Sequence, residues 1–214
     1  MNQFYIGTEE GAVYHGARHG SSRGIYERFS RAPVISAFDF DNEGQQKNID
    51  YNFTGHCAPI TSIDFPVAEG DVDLSSYFLT SSLDWSCKLW NKRIIDRPIA
   101  TFQQGNDCVY DVKWSPKHPA VFATALGGGK LSIWNINKET EVPVVQEQAS
   151  HHSINRLSWS EDSSKIAIGD AAGSVFIYDV AEVCSSESKD WSQFEEVVNH
   201  LPKPKSDAEA TDNF

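Results

Sequence analysis

Residues 84–91, Asp-Trp-Ser-Cys-Lys-Leu-Trp-Asn (DWSCKLWN), contain two of the six tryptophans in the 214-residue chain. Their polar and apolar side chains alternate, which is the pattern of a pleated strand with side chains on both faces. A similar strand ends at Trp134, 44 positions after Trp90, and another ends at Tyr178, 44 positions after that. This fixed period predicts a chain built from repeats.

The period is typical of β-propellers, in which each repeat of roughly 40–45 residues folds into one four-stranded blade. Each repeat has an alternating first strand, a polar loop, a second strand of small residues, a tight hairpin and a third strand that ends in an aromatic residue. We interpret 98–102 and 142–146 as fourth strands. Small side chains in the second strand leave room for aromatic side chains of the neighbouring blade. The aromatics expected in the core, besides Trp90, are Trp114, Trp134, Trp159 and Tyr178.

The remaining segments have different expected structures. The run FYIGTEEGAVYHG resembles the later run KIAIGDAAGSVFIYD, whereas 30–52 fits no strand of the repeat and is either a long surface loop or an extra translated segment. The fold class is thus predicted as all-β, a partial β-propeller of about three and a half blades with a short C-terminal helix. The expected order is the end of a preceding blade at 1–29, an atypical insertion or loop at 30–52, blades at 53–102 and 103–146, a blade lacking its fourth strand at 147–180, an amphipathic helix at 188–201 and a disordered tail at 202–214.

The helix is predicted from apolar residues spaced three to four positions apart. Trp191, Phe194, Val197 or Val198, and Leu201 carry this spacing. Ser188 is placed to cap the helix, and Asp190 then lies in its first turn. The apolar face either packs on the propeller, which we favour, or binds a partner.

One repeat contains a candidate network of polar side chains. In WD-repeat proteins, which this repeat resembles, a histidine before the first strand is held by a hairpin aspartate, a small hydroxyl residue and the tryptophan. Here His56, Asp84, Trp90 and either Thr80 or Ser82 could form that network. A catalytic triad is the alternative, but no oxyanion loop or nucleophile turn accompanies these residues. We therefore interpret the network as structural.

The other two repeats lack this set of residues. Asn106 and Gly128 lie at the corresponding positions of the second repeat, and Ala172 replaces the aspartate in the third. The network is therefore predicted only once.

Composition excludes several classes of function. The formal net charge of −12 is a poor match for nucleic acid or anionic lipid. The sequence shows no signal peptide and no run of roughly 18 apolar residues that could span a bilayer. Four scattered cysteines favour reduced thiols in an intracellular protein over disulfides or a zinc site. They are Cys57, Cys87, Cys108 and Cys184.

No enzyme motif is complete, and we expect no catalytic residue, cofactor or metal. The run GGGK at 127–130 lacks the spacing of a phosphate-binding loop, and Leu131 replaces the required hydroxyl residue. The pair His151–His152 has no carboxylate or cysteine at ligand spacing. A non-enzymatic protein is the plainer interpretation.

Several longer runs together resemble the C-terminal WD-repeat region of cytoplasmic dynein intermediate chains. They are FYIGTEEGAVYHGARHG, GHCAPIT, TSSLDWSCKLWN, VYDVKWSPKHPAVFA, LSIWNINKETEVP and AIGDAAGSVFIYDV with the DWSQF helix, and they span about four-fifths of the chain. The resemblance implies a seven-bladed, non-enzymatic propeller that docks on the tail of the dynein heavy chain. It also implies other dynein subunits as partners, and a location in the cytoplasm on the microtubule cytoskeleton.

The chain departs from this family in two ways. It lacks the family's N-terminal arm, so light-chain and dynactin binding are not expected of it. It also lacks the first half of the propeller, so we expect a fragment or a truncated product that needs a partner. Alternatives are a WD-repeat adaptor outside dynein, such as a ubiquitin-ligase receptor or coat component, and a non-functional truncated product.

Four residues are candidates for a partner-binding surface if the dynein interpretation holds. They are Trp85, Arg93, Lys113 and Lys130, all expected to be exposed on hairpins and loops. Each is individually more typical of an ordinary surface residue. Trp85 is the best single candidate, because tryptophan is favoured at binding hot spots.

Overall fold

The computed structural model describes residues 3–7, 13–17, 24–25, 34–40, 46–67, 70, 72–94, 97–185 and 187–201. Within these ranges the chain forms sixteen strands in four sheets, followed by two helices. The tail expected at 202–214 lies outside the described residues.

The first sheet precedes the regular repeats. Its order is β1-β2-β4-β5, with β3 paired to β2, and β2 and β4 run parallel while the other pairs are antiparallel. Its strands are β1 (Gln3–Gly7), β2 (Val13–Ala17), β3 (Gly24–Ile25), β4 (Val34–Phe40) and β5 (Gln46–Thr54). Strands thus occupy much of the segment for which the sequence suggested an insertion or loop, since the alternating run VISAFDF suits a strand. That 30–52 is an insertion, and that 1–29 ends a preceding blade, stay predictions.

The next two sheets are four-stranded antiparallel blades, and the last is a three-stranded one. The first of them contains β6 (Ile60–Asp64), β7 (Tyr77–Ser82), β8 (Ser86–Asn91) and β9 (Ala100–Gln103). The second contains β10 (Val109–Trp114), β11 (Val121–Leu126), β12 (Lys130–Asn135) and β13 (Val145–Gln148). The third contains β14 (Ile154–Trp159), β15 (Lys165–Asp170) and β16 (Val175–Asp179). We call these sheets blades 1, 2 and 3.

The three blades share one backbone plan. Each first strand has the same register shift near its start, between Ile60 and Ser62 in blade 1 and at the matching positions of the others. The fourth strands β9 and β13 begin two to three residues later than the sequence suggested. Pro98 and Pro143 lie in the expected strands, and proline cannot donate a hydrogen bond to a neighbouring strand. The partial-propeller fold is therefore confirmed.

Neighbouring blades are joined by two buried apolar clusters. Between blades 1 and 2, Phe102 packs edge-on against Phe122 and Trp134, with ring centroids 4.9 Å and 5.3 Å away. Between blades 2 and 3, the small side chains of β11 make room for aliphatic side chains of β14 and β15, such as Ile154 and Ile166. Each buried aliphatic or aromatic side chain contributes about 1.5–3 kcal/mol to the free energy of unfolding.

The strand-ending aromatics differ in burial along the chain. Trp90, Trp114 and Trp134 are buried, whereas Trp159 and Tyr178 of blade 3 are half-buried. The last two pack against the cluster that joins blades 2 and 3. Blade 3 has a described blade on one side only, which explains their greater exposure.

The chain continues into α1 (Ala181–Cys184) and α2 (Lys189–His200). The apolar face of α2 buries Trp191, Phe194 and Val198 in the cluster that joins blades 1 and 2. Phe194 packs edge-on against the ring of Tyr77, with centroids 5.4 Å apart. The helix thus packs on the propeller, as the favoured interpretation held.

The start of α2 differs from the expectation. Ser188 makes no capping hydrogen bond through its side chain. Instead, the carboxylate of Asp190 accepts a hydrogen bond of 2.7 Å from the backbone N–H of Glu187. This is the carboxylate half of a capping box, and it satisfies a backbone donor that the helix itself leaves unpaired.

Candidate functional site

The structure brings four of the five proposed network residues of blade 1 into direct contact. His56 lies with Nδ1 2.7 Å from Asp84 Oδ2 and Nε2 2.7 Å from Thr80 Oγ1. The indole N–H of Trp90 donates to the same Thr80 oxygen at 2.8 Å. Ser82 lies beside this chain of bonds, where its hydroxyl donates to the carbonyl of Ala58 at 3.0 Å. Thr80 is thus the hydroxyl residue that contacts the histidine.

The bonds indicate a neutral histidine beside an ionised aspartate. Thr80 can accept from Trp90 and donate to Nε2 of His56, while Nδ1–H of His56 donates to Asp84. Each donor and acceptor in this series of hydrogen bonds then has a partner. Burial lowers the pKa of His56, and the hydrogen bond to Asp84 opposes this only in part. Burial alone would raise the pKa of Asp84, but hydrogen bonds, from His56 above all, hold it well below its usual range.

The network connects two parts of blade 1 that are distant in sequence. Asp84 also accepts from the hydroxyl of Ser86 at 2.6 Å and from the N–H of Cys57 at 3.1 Å. It therefore ties the β7–β8 hairpin to the segment that precedes β6. The hydroxyl that faces Nε2 of His56 belongs to Thr80, which has no exposed surface. A substrate could not reach it, so the geometry supports a structural role over a triad.

A buried lysine in the central strand lies next to this network. Lys88 is only 8% exposed and donates from Nζ to Thr101 Oγ1 at 3.1 Å. Burial lowers its pKa, while the charge of Asp84 acts in the opposite direction. The alternation of β8 predicted two faces for the strand but not that both faces are buried.

Blades 2 and 3 tie the same hairpin with different residues, which the sequence reading did not single out. In blade 2, Asp107 accepts a 2.7 Å hydrogen bond from the N–H of Gly128. In blade 3, the hydroxyl of Ser150 donates to Asp170 at 2.7 Å. A polar residue just before the first strand of each repeat was the available sequence signal. In each blade a polar side chain before the first strand therefore holds the hairpin, but the hydrogen-bonding groups differ between blades.

Blade 2 leaves the counterparts of two network atoms without a partner. Thr124 and Trp134 occupy the strand positions that Thr80 and Trp90 have in blade 1. Both residues are fully buried, and neither Thr124 Oγ1 nor Trp134 Nε1 has a hydrogen-bond partner. The network of blade 1 is thus not formed in blade 2, although the threonine and the tryptophan are present.

Trp85, the best surface candidate, lies in an unusual backbone conformation at the β7–β8 hairpin. Its φ is +68°, and 46% of its surface is exposed. The corresponding hairpin positions of blades 2 and 3 are Gly129 and Gly173, with φ of +80° and +82°. Left-handed backbone is costly for a bulky side chain and free for glycine. Blade 1 thus has an exposed tryptophan at the hairpin position where blades 2 and 3 have glycine.

The other three surface candidates do not all lie at the hairpin end of the blades, where Trp85 lies. Lys130 is exposed at the hairpin end of its blade, whereas exposed Arg93 follows β8 at the opposite end of the strands. The expectation that Lys113 is exposed is wrong, because it is half-buried and its Nζ lies 2.9 Å from Asp64 Oδ1. The neighbouring blade supplies that partner, which strand alternation could not predict.

Aspartates in the first strands connect one blade to the next. Asp64 accepts from the backbone N–H of Trp114 at 2.7 Å, and Asp111 accepts from the N–H of Leu157 at 2.9 Å. Burial raises the pKa of Asp64, although the charge of Lys113 opposes this. These bonds fix the relative position of adjacent blades.

Other candidate chemistry has structural explanations. All four cysteines are free thiols, and burial raises the pKa of Cys184 to about 12. Gly129, within the GGGK run, accepts backbone hydrogen bonds from Ala149 and Ser150. His151 and His152 are exposed. Among the described residues, no group of three or more His, Cys, Asp or Glu could hold a metal ion, and no helix is long and apolar enough to cross a membrane.

The comparison with known proteins agrees with the three blades. The model of the family "WD domain, G-beta repeat" matches 47–91, 96–135 and 143–179, which together are more than half of the chain. The chain belongs to the WD-repeat family. Each match spans the first three strands of one blade together with the last strand of the preceding sheet, so matches and blades are offset by one strand.

This WD-repeat chain also resembles a dynein subunit. It is 35% identical over 209 residues to the cytoplasmic dynein 1 intermediate chain of Drosophila melanogaster. The alignment covers 97% of this chain and 28% of that relative. The resemblance to cytoplasmic dynein intermediate chains, inferred from short runs of sequence, is therefore confirmed. The chain spans a little over a quarter of the relative's length.

Proposed function

We propose that this chain is a non-catalytic scaffold subunit of the cytoplasmic dynein motor complex. Its blades would dock on the tail of the heavy chain and support movement toward microtubule minus ends, in the cytoplasm and together with other dynein subunits. The observation that carries the proposal is the similarity to a dynein intermediate chain along 97% of this chain. The polar networks support it further, because their side chains are hydrogen-bonded in holding the hairpin of each blade in place and none of them is open to a substrate as a nucleophile or base.

Trp85 is the residue that we propose as the centre of the docking surface. An exposed tryptophan in a left-handed conformation costs about 1–2 kcal/mol relative to a relaxed backbone. Gly129 and Gly173, at the same hairpin position of blades 2 and 3, show that the fold accepts glycine at this position. The indole therefore adds nothing that the hairpin needs, and contact with a partner explains its presence.

The Trp85→Gly variant tests this surface. Glycine relieves the backbone, so loss of binding would not come from unfolding of the hairpin. Biolayer interferometry with purified dynein heavy-chain tail should show affinity that falls roughly thirtyfold or more, the effect of removing a hot-spot tryptophan. Val142→Ala, at a residue that is 58% exposed and outside the strands, is the matched control and should bind like the unmodified chain.

Two results would count against the proposal. If the unmodified chain does not bind the heavy-chain tail, the chain has a task outside that contact, such as a general WD-repeat adaptor. If it binds and Trp85→Gly binds equally well, the docking surface lies elsewhere on the blades.

A further inference from the structure

The connection between blades 1 and 2 buries a glutamine amide at a position where the other repeats have small residues. Gln104 follows β9 directly and is 7% exposed, and neither Oε1 nor Nε2 of its side chain has a hydrogen-bond partner. Gly55 and Ala149 follow β5 and β13 in the same way. Burying an amide without partners is costly, and native proteins rarely do so.

The position of Gln104 relative to Trp134 follows from two equivalent sets of aromatic rings. In each set a tryptophan is stacked on one phenylalanine and meets a second one edge-on. The centroid distances are 6.2 Å and 5.7 Å around Trp90, and 5.9 Å and 5.3 Å around Trp134. The stacked and edge-on rings are Phe78 and Phe53 in the first set, and Phe122 and Phe102 in the second. Gly55 and Gln104 each follow the edge-on phenylalanine by two residues.

Gly55 lies against the edge of the indole that carries Nε1. A Cβ on Gly55 would be 3.0 Å from Cη2 and 3.7 Å from Cζ2 of Trp90. Gln104 has a Cβ at the equivalent position, so the repeat directs its side chain along the same edge of Trp134. The indole N–H of Trp134 is also buried and has no partner. We therefore expect these two unpaired groups to lie side by side.

We propose that internal water is bound between the side-chain amide of Gln104 and the indole N–H of Trp134. The indole offers one N–H, and the amide offers two N–H groups and an accepting oxygen. A ligand that satisfies both side chains must therefore accept and donate hydrogen bonds. Water does both, and a buried water makes about three such bonds in a typical protein site.

Other small ligands match this set of groups less well. A halide ion would accept from the N–H groups but leave Oε1 of Gln104 unpaired. A metal cation would face N–H donors, which cannot coordinate it. The donors and the acceptor together therefore select water.

The adjoining space in blade 1 is filled by a histidine. The imidazole of His56, directly after Gly55, lies with its centroid 6.2 Å from that of the Trp90 ring. The residue directly after Gln104 is Gly105, so the strand ends align His56 with Gly105, and not with Asn106 as the sequence suggested. Without an imidazole, there is room for water beside the indole of blade 2.

Cross-relaxation between water and the isotope-labelled chain, measured by NMR, tests the proposal without a variant. Each indole N–H gives its own resonance. That of Trp134 should show a cross-peak with water, of the sign that a long-lived bound molecule produces. The indole of Trp114 is also buried, but its N–H donates to the carbonyl of Pro119 at 2.9 Å and should show no cross-peak.

Three variants assign the cross-peak. Gln104→Ala, which has the residue found at Ala149 in the next repeat, should lose it, because the water then keeps only one partner. This variant should not raise Tm, since the amide that it removes is hydrogen-bonded to water. Gln103→Ala changes the exposed neighbour and should keep the cross-peak. Thr124→Val should keep it as well, which excludes exchange through that hydroxyl.

Four results would refute the proposal. The first is the lack of a cross-peak between water and Trp134 in the unmodified chain. The second is a cross-peak that persists in Gln104→Ala, which would place water at the indole without the amide. A higher Tm of Gln104→Ala is the third, because it would show that the amide is buried without a partner. The fourth is loss of the cross-peak in Thr124→Val, which would assign the signal to the hydroxyl proton.

Discussion

Thr80 and Thr124 occupy the same position in blades 1 and 2, yet their hydroxyls have opposite surroundings. Both are fully buried and lie in the second strand of their blade. The hydroxyl of Thr80 contacts His56 Nε2 and the indole N–H of Trp90. The hydroxyl of Thr124 has no partner. Replacing each threonine with valine, which has nearly the same shape, therefore isolates the value of the network.

Thr80→Val should be strongly destabilising. It leaves two buried polar atoms, one on His56 and one on Trp90, without a hydrogen bond. Each such atom costs about 1–2 kcal/mol, so we expect the free energy of unfolding to fall by about 3 kcal/mol. For a chain of this size that corresponds to a decrease in Tm of roughly 6–12 °C.

Thr124→Val should have no cost or a small benefit. It removes a hydroxyl that is buried without a partner and replaces it with an apolar group, which favours folding by up to about 1 kcal/mol. Urea unfolding followed by tryptophan fluorescence measures both variants against the unmodified chain. Equal losses of stability in the two variants would refute the reasoning, because they would show that the hydroxyl contacts contribute nothing specific.

Three further predictions concern the hairpins, the helix and the histidines. Gly129→Ala should lower the free energy of unfolding in urea by about 3 kcal/mol or more, because a Cβ there would collide with the carbonyl of Ser150. Gly173→Ala, with similar φ but open space, should lower it by only about 1 kcal/mol. Phe194→Ala should cost about 3–5 kcal/mol and expose α2 to limited proteolysis, since this ring is fully buried. Among the residues whose burial the structure describes, two histidines are buried, His56 and His118, and burial lowers the pKa of both, so the unfolded chain binds more protons than the folded chain below pH 6.5. Stability should therefore fall from pH 7.5 to 5.5 by at most about 1.4 kcal/mol per pH unit for each histidine, and His118→Gln should reduce the slope by about half.

Each of these has an outcome that would contradict it. Similar losses for the two glycine variants would mean that backbone conformation, and not the close contact, sets the cost. An intact helix in the Phe194 variant would mean that α2 is held by other contacts. A flat pH profile would mean that the buried histidines bind protons equally in the folded and unfolded chain.

Local pattern was sufficient for much of the fold. The period of 44 residues, the alternation within strands and the turn residues predict blades, because each blade is made from consecutive strands joined by short connections. The helix followed from its apolar spacing. The partnership of His56 and Asp84 was expected from the resemblance to WD-repeat proteins and not from local pattern.

Tertiary contacts decided what local pattern left open. Thr80 and Ser82 lie on the same face of β7, so alternation could not choose between them; their distance along the strand places only Thr80 against the histidine ring. The hydrogen bonds that hold the hairpins of blades 2 and 3 were missed because Asp107 and Ser150 make them with different groups from those of blade 1.

The surface likewise depended on three-dimensional neighbours. Lys113 has the alternation of an exposed residue, but Asp64 of the adjacent blade pairs with it. Trp85 could be named from the sequence, whereas its left-handed conformation and the matching glycines appeared only in the folded hairpins. Sequence therefore determined the repeating unit, because its signals lie within a few residues of one another. The structure decided the contacts between units, because these join residues that are distant in the chain and have no shared period.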